Sequence, residues 1–104
     1  MYAPTLACTA KGRDIVTAFH AAERLRAELA RLQVPGVVNH GYGYAVVSVS
    51  ASLTVWTDGR RYWWRAAWNP VRGRYVYAWH TADEPDRAAR RVAARYARMR
   101  RRHQ

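Results

Sequence analysis

The chain has 104 residues, half of them hydrophobic, and its 18 basic and 7 acidic residues give a formal net charge of +11. This length predicts one domain with a modest core, and this charge favours a polyanionic partner such as nucleic acid, an acidic protein or an anionic membrane surface. The lone cysteine, Cys8, excludes an internal disulfide and a cysteine-based zinc site, and no apolar run approaches the ~20 residues that span a bilayer.

The N-terminal sequence lacks the basic and then apolar pattern of a signal peptide, so we expect a cytoplasmic protein that does not bind membranes. Among the basic residues only Lys11 is a lysine. A GC-rich genome produces the same bias towards arginine, so codon usage is a second explanation of the arginine count beside selection for binding.

The first predicted element is an amphipathic helix over residues 13–33. Residues 1–12 show no period and are predicted to form an irregular N-terminal arm. The apolar residues of the helix recur at helical spacing and are Ile15, Phe19, Ala22, Leu25, Leu29 and Leu32. Pro35 and Gly36 end the helix, and residues 37–43 are predicted to be a loop.

A strictly alternating segment over residues 45–55 predicts a half-buried strand. Its odd positions are apolar, whereas the even positions from Ser48 to Thr54 carry hydroxyl groups. Successive side chains of a strand point to opposite faces, so the odd positions face the core. The pair Asp58-Gly59 follows and is typical of a two-residue hairpin turn, because it tolerates positive φ angles.

This hairpin turn predicts a register that satisfies the pattern of both strands. Val55 would stand opposite Tyr62, and Leu53 opposite Trp64, on the core face. The opposite face would carry Trp56, Arg61, Trp63 and Arg65, with Trp56 directly opposite Arg61.

A third strand is predicted over residues 74–80, with two possible orientations. A five-residue loop over 69–73 would leave Tyr75, Tyr77 and Trp79 on the outer face, whereas a four-residue loop would bury them. We favour the first orientation, because the side chains predicted in the core, Trp64 and Trp68 among them, already fill much of a small domain.

The last predicted helix begins after a capping box formed by Thr81 and Glu84 and runs to about Arg101. One side is apolar, with Ala88, Ala89, Val92, Tyr96 and Met99. The other side carries Arg87, Arg91, Arg95, Arg98 and Arg102.

The predicted fold is therefore a single α+β domain over residues 13–102. It contains a helix, a three-stranded antiparallel meander and a second helix (αβββα), with both helices on one sheet face because their narrow apolar stripes need a common partner.

This element order resembles that of the double-stranded RNA-binding domain. The resemblance covers residues 13–102 and concerns the order of the elements, not sequence motifs. It implies RNA backbone binding by basic residues at the start of the last helix. This sequence departs from the pattern there, because Asp83, Glu84 and Asp86 would repel phosphate and Arg87 and Arg91 follow only later.

Two sets of residues are candidates for contacts with a partner. The first is Trp56, Arg61, Trp63 and Arg65, because aromatic rings that stack on bases and arginines that bind phosphates hold single-stranded nucleic acid. The same residue types are enriched at protein interfaces, and an intramolecular arginine–tryptophan pairing is a third interpretation. The second set is Arg87, Arg91, Arg95 and Arg98, for which a solvated helix face is the alternative.

No catalytic residue, metal ligand or cofactor is predicted, so we expect a protein that is not an enzyme. The sequence contains no phosphate-binding glycine loop, and helix capping accounts for the acids near His80 better than a metal site does. We expect a small basic binding or regulatory accessory protein that acts on nucleic acid or on an acidic protein partner in a nucleic-acid-associated complex. The alternative is a protein-interaction module or homodimer that uses the aromatic and arginine-bearing sheet face.

Overall fold

A computed structural model describes the backbone of residues 7–41 and 43–102 and the side chains of residues 17–41 and 43–101. Its elements are α1 (Ala7–Arg31), β1 (Val37–Gly41), β2 (Tyr44–Ser50), β3 (Leu53–Thr57), β4 (Arg61–Asn69), β5 (Arg74–Thr81) and α2 (Pro85–Arg102). The predicted α+β class is confirmed, but the predicted number of strands is wrong, because the sheet has five. Part of the predicted arm lies outside the described residues, and the chain is helical from Ala7 onward.

The five strands form an antiparallel meander in chain order, so that β1 and β5 are its edges. The order helix, five strands, helix differs from the three-stranded order on which the resemblance to the double-stranded RNA-binding domain was based. That resemblance therefore does not extend to the sheet.

The strand predicted over residues 45–55 is in fact a hairpin of β2 and β3. Ser50 pairs with Leu53, so Ala51 and Ser52 form the turn, and the Ser52 N–H donates to Ser50 Oγ at 3.3 Å. A register irregularity between residues 48 and 50 keeps the odd positions of both strands on the core face. The alternation of apolar and hydroxyl-bearing residues therefore continues through the turn, so the sequence pattern does not indicate that the chain reverses there.

The predicted loop over residues 37–43 is largely a strand. β1 pairs with β2 from Val37 opposite Ser48 to Gly41 opposite Tyr44, and Gly43 makes the connection at a φ of 73°. All five residues of this edge strand are exposed or half-buried. The sequence of β1 therefore shows no alternation of apolar and polar residues, so the two-residue pattern of a half-buried strand could not have revealed it.

The Asp58-Gly59 turn is present, but its register differs from the prediction. Val55 stands opposite Trp64 rather than Tyr62, a displacement of two residues along β4. Asp58 Oδ1 accepts the N–H groups of Arg60 and Arg61, while Gly59 has a φ of 96°. An even displacement keeps the side chains of β3 and of residues 61–65 of β4 on their predicted faces, so the division between core and outer residues is preserved there.

The β4–β5 hairpin combines a four-residue loop with a β-bulge. Asn69 stands opposite Arg74, and the Gly73 N–H donates to the Asn69 carbonyl at 2.8 Å. A loop of this length alone would have buried Tyr75, Tyr77 and Trp79. The bulge between Arg65 and Ala67 shifts the register by one residue and returns these three side chains to the outer face.

Both helices lie on one face of the sheet, because their buried residues belong to one cluster with the inward residues of the strands. From α1 this cluster includes Leu25 and Leu29, and from α2 it includes Val92. Tyr62 spans the core, and its hydroxyl donates to the Ala21 carbonyl of α1 at 2.7 Å. Burial raises the pKa of Tyr62 to about 12, so the phenol remains a hydrogen-bond donor even in mildly alkaline solution.

Candidate interaction surface on the open sheet face

The sheet face opposite the helices bears a group of aromatic side chains, which we call the aromatic face. Its members are Trp56, Trp63, Trp68, Tyr75, Tyr77 and Trp79, together with Arg61 and Arg65. Trp79 is 57% exposed, Tyr77 and Trp68 are each 53% exposed, and Tyr75 is 43% exposed. So much exposed aromatic surface on one face is unusual for a small domain and makes this face a candidate interaction site.

Three tryptophans form a row across neighbouring strands. Trp56 on β3 stands opposite Trp63 on β4, which stands opposite Trp79 on β5. The pairing of Trp56 with Arg61 that the hairpin pattern predicted is wrong, because the register is displaced by two residues. Arg61 instead stands opposite Thr81. The structure thus places three tryptophans at adjacent positions on three strands, where the predicted register placed an arginine beside Trp56.

Both arginines of the aromatic face lie against its rings. The guanidinium carbon of Arg61 is 5.0 Å from the ring centroid of Trp79, and that of Arg65 is 4.3 Å from the centroid of Tyr75. Arg65 Nε also donates to the Tyr77 hydroxyl at 3.4 Å, and this hydrogen bond is the main cause that raises the pKa of Arg65. These contacts hold two cations over the aromatic surface.

Trp68 belongs to the aromatic face, although the sequence analysis placed it in the core. Its ring packs edge-to-face against Tyr75, with centroids 5.0 Å apart, near the end of the β4–β5 hairpin. The bulge between Arg65 and Ala67 turns Trp68 outward. A bulge has no reliable sequence signal when small residues such as alanine occupy it, so the pattern of the sequence could not have assigned this side chain correctly.

The second predicted set, the α2 arginines, lies on the helix side of the sheet and does not join the aromatic face. Arg91 Nη1 donates to the Trp79 carbonyl at 2.7 Å, and the guanidinium lies 5.1 Å from the centroid of the buried Trp64 ring. Arg87 Nη1 lies 3.8 Å from Glu84 Oε2. Arg95 is half-buried, and Arg98 is exposed. The two predicted sets are therefore two separate surfaces.

His80 is engaged at both ring nitrogens by protein side chains. Its Nε2 lies 2.8 Å from Glu84 Oε1, and its Nδ1 lies 3.1 Å from Arg91 Nη1. Because the Arg91 guanidinium can only donate, Nδ1 accepts and Nε2 carries the proton. No group of three histidine, cysteine or carboxylate side chains clusters within the described part of the chain, which does not include the Cys8 side chain.

No protein family, no curated protein and no solved structure matches this chain. Within the described ranges, neither α1 nor α2 has the length and apolar character that crossing a membrane requires.

Proposed function

We propose that this protein is a small, basic, non-enzymatic accessory protein of the cytoplasm that binds single-stranded nucleic acid on its aromatic face. The observation that carries the proposal is the row of Trp56, Trp63 and Trp79 on an uncovered sheet face, with Arg61 and Arg65 held beside it. Bases stack on exposed aromatic rings, and nearby arginines bind the phosphates that connect them.

The charge distribution supports a polyanionic ligand at this surface. All seven acidic residues of the sequence lie outside the five strands, whereas Arg60, Arg61, Arg65, Arg72 and Arg74 lie within or beside the β4–β5 hairpin. A phosphate backbone that crosses the aromatic face therefore meets cations and no strand carboxylate. This arrangement favours fast, electrostatically guided association.

The contacts of the two arginines favour a single strand over a duplex. In the free protein Arg61 covers Trp79, and Arg65 covers Tyr75. A base that stacks on either ring takes the place of the guanidinium group, which then becomes available for the adjacent phosphate. A duplex keeps its base faces inside its own stack, so it offers the backbone to the arginines but nothing to the rings.

A second candidate function is a protein interface, including a homodimer formed by two aromatic faces. The observation that favours it is the exposure of Trp68, Tyr77 and Trp79, each more than half exposed. Tryptophan, tyrosine and arginine are the residue types that dominate the binding energy of protein interfaces.

Titration of a fluorescently labelled single-stranded oligonucleotide at several salt concentrations separates the two candidates. We expect binding that weakens by about tenfold over a fourfold rise in salt, because arginines at a few phosphates release counterions. A duplex of the same sequence should bind more weakly at each salt concentration. A dimer that persists at high salt, together with no retention of the oligonucleotide at low salt, would contradict the nucleic-acid proposal and favour the interface.

A further inference from the structure

The β4–β5 hairpin extends beyond the rest of the sheet as a two-stranded ribbon, and we call its residues 66–77 the arm. Among the described residues, β3 pairs with β4 only as far as Trp64, and β5 has β4 as its single neighbour. Both edges of the arm are therefore open. Its helix-side residues Ala67 and Val76 are exposed as well, so neither α1 nor α2 covers this part of the ribbon.

Contacts within the hairpin hold the arm in one shape. Trp68 packs edge-to-face on Tyr75, and the Arg65 guanidinium lies over the Tyr75 ring. In the loop, Asn69 Oδ1 accepts two backbone N–H groups. A two-stranded ribbon is marginally stable in water on its own, and these contacts offset that weakness. A partner therefore meets a preformed surface, and binding costs little entropy for ordering the arm.

The arm carries positive charge and no carboxylate. Arg65 lies at its base, Arg72 and Arg74 lie near its tip, and the sequence has no aspartate or glutamate between Asp58 and Asp83. Within the described part of the chain, no carboxylate forms an ion pair with any of these three arginines. The arms of two copies would repel each other, because like charges at short range oppose association. The arm therefore fits an anionic partner.

The two open edges of the arm indicate which anionic partner fits. Alternate backbone N–H groups along each edge have no strand partner among the described residues, and such groups donate to phosphates in protein–DNA complexes. A strand added to the sheet would use one edge, and a flat surface would use one face. The major groove of B-form DNA has a phosphate wall on each side, is about 12 Å wide and admits a two-stranded β-ribbon. This groove engages both edges at once.

We infer that the arm enters the major groove of a DNA duplex beside the single strand held on the row of three tryptophans, so that the ligand is a junction between double-stranded and single-stranded DNA. The inference rests on the proposed function, which supplies the single-stranded part of this ligand. β5 connects the two parts, because Trp79 belongs to the row and Arg74 lies on the arm, five residues or roughly 16 Å along the strand. An RNA duplex does not fit, since its major groove is deep and narrow.

The test compares four labelled ligands by fluorescence anisotropy at one salt concentration. They are a DNA duplex that ends in two unpaired tails of opposite polarity (the DNA fork), one tail strand alone, the blunt duplex, and a fork whose duplex part is RNA. We expect the DNA fork to bind roughly tenfold tighter than the tail, because the arm adds arginine–phosphate contacts that release counterions. The RNA fork should bind within about threefold of the tail.

A double variant at the tip, Arg72→Gln with Arg74→Gln, tests the role of the arm. It should weaken the DNA fork by roughly tenfold and should change the affinity for the tail less than about twofold. The matched control is Arg31→Gln with Arg98→Gln, which removes the same charge from exposed positions on the two helices. The control should weaken both ligands less than about twofold. All four positions are exposed, so circular dichroism should show an unchanged fold for both variants.

The possible failures of this inference and of the proposed function give different results. Equal affinity of the DNA fork and the tail, or an RNA fork that binds as tightly as the DNA fork, would overturn the inference and leave the proposed function in place. Slower hydrogen exchange of the arm amides without DNA, as the protein concentration rises, would assign the arm to a second copy and overturn the inference as well. A blunt duplex that binds as tightly as the DNA fork, together with a tail that does not bind, would contradict the proposed function.

Discussion

Replacing Trp64→Ala should lower the free energy of unfolding by about 3–5 kcal/mol, the range measured for large aromatic side chains in well-packed cores. Trp64 is 2% exposed and is the largest fully buried side chain among the described residues. Its ring also lies under the guanidinium of Arg91. Truncation would leave a cavity between the sheet and α2 and would remove that cation–π contact. Chemical denaturation followed by circular dichroism measures the change.

The matched control is Trp68→Ala, which removes the same number of atoms from the same strand. Trp68 is 53% exposed and makes an edge-to-face contact with Tyr75. We expect it to lower the free energy of unfolding by about 1 kcal/mol or less, the value of one such aromatic pair with little burial. Similar losses for both variants would place Trp68 in the core and would contradict the bulge between Arg65 and Ala67.

The second large effect concerns binding rather than stability. Trp63→Ala and Trp79→Ala should each weaken a single-stranded oligonucleotide by about tenfold or more, since a stacked base contributes roughly 1–3 kcal/mol. The double variant should lose about a hundredfold if each ring stacks on a separate base. Trp79 is largely exposed, so its truncation should leave the fold intact. Fluorescence anisotropy of the labelled oligonucleotide gives the affinities, and circular dichroism verifies folding.

Two further substitutions at Trp79 distinguish stacking from general apolar contact. Trp79→Phe keeps an aromatic ring and should retain most of the affinity for the oligonucleotide. Trp79→Leu keeps apolar area without a π system and should lose most of that affinity. Equal affinities for the two variants would mean that the surface acts through apolar burial. That result would favour the protein-interface candidate over nucleic acid.

The division of the strands into two faces could be predicted from sequence, because a period of 2 depends only on local pattern. The alternating pattern placed Leu53 and Trp64 in the core. It placed Trp63 and Arg65 on the outer face, and the structure agrees at all four positions. The strand count could not be predicted in the same way. The turn at Ala51-Ser52 has no glycine or proline, and its associated irregularity leaves the alternation unbroken.

The composition of the candidate site was therefore more predictable than its arrangement. The four-residue loop and the bulge in β4 both differ from the prediction. Their effects on the face that a side chain occupies cancel for Tyr77 and Trp79, which remain on the predicted outer face, but not for Trp68. The tryptophan row depends on a register displaced by two residues, and in the turn of this register Asp58 Oδ1 accepts the N–H groups of Arg60 and Arg61. Such contacts are made by the folded chain and are not encoded in the hydrophobic pattern.

The indole N–H resonances of the five tryptophans provide the most direct measurement of the central claim, because each ring reports its own surroundings. On titration with a single-stranded oligonucleotide, the resonances of Trp56, Trp63 and Trp79 should move together and saturate, whereas that of the buried Trp64 should stay in place. If the three outer resonances stay unchanged while the oligonucleotide binds, or if the oligonucleotide does not bind at low salt, the aromatic face is not a nucleic-acid site.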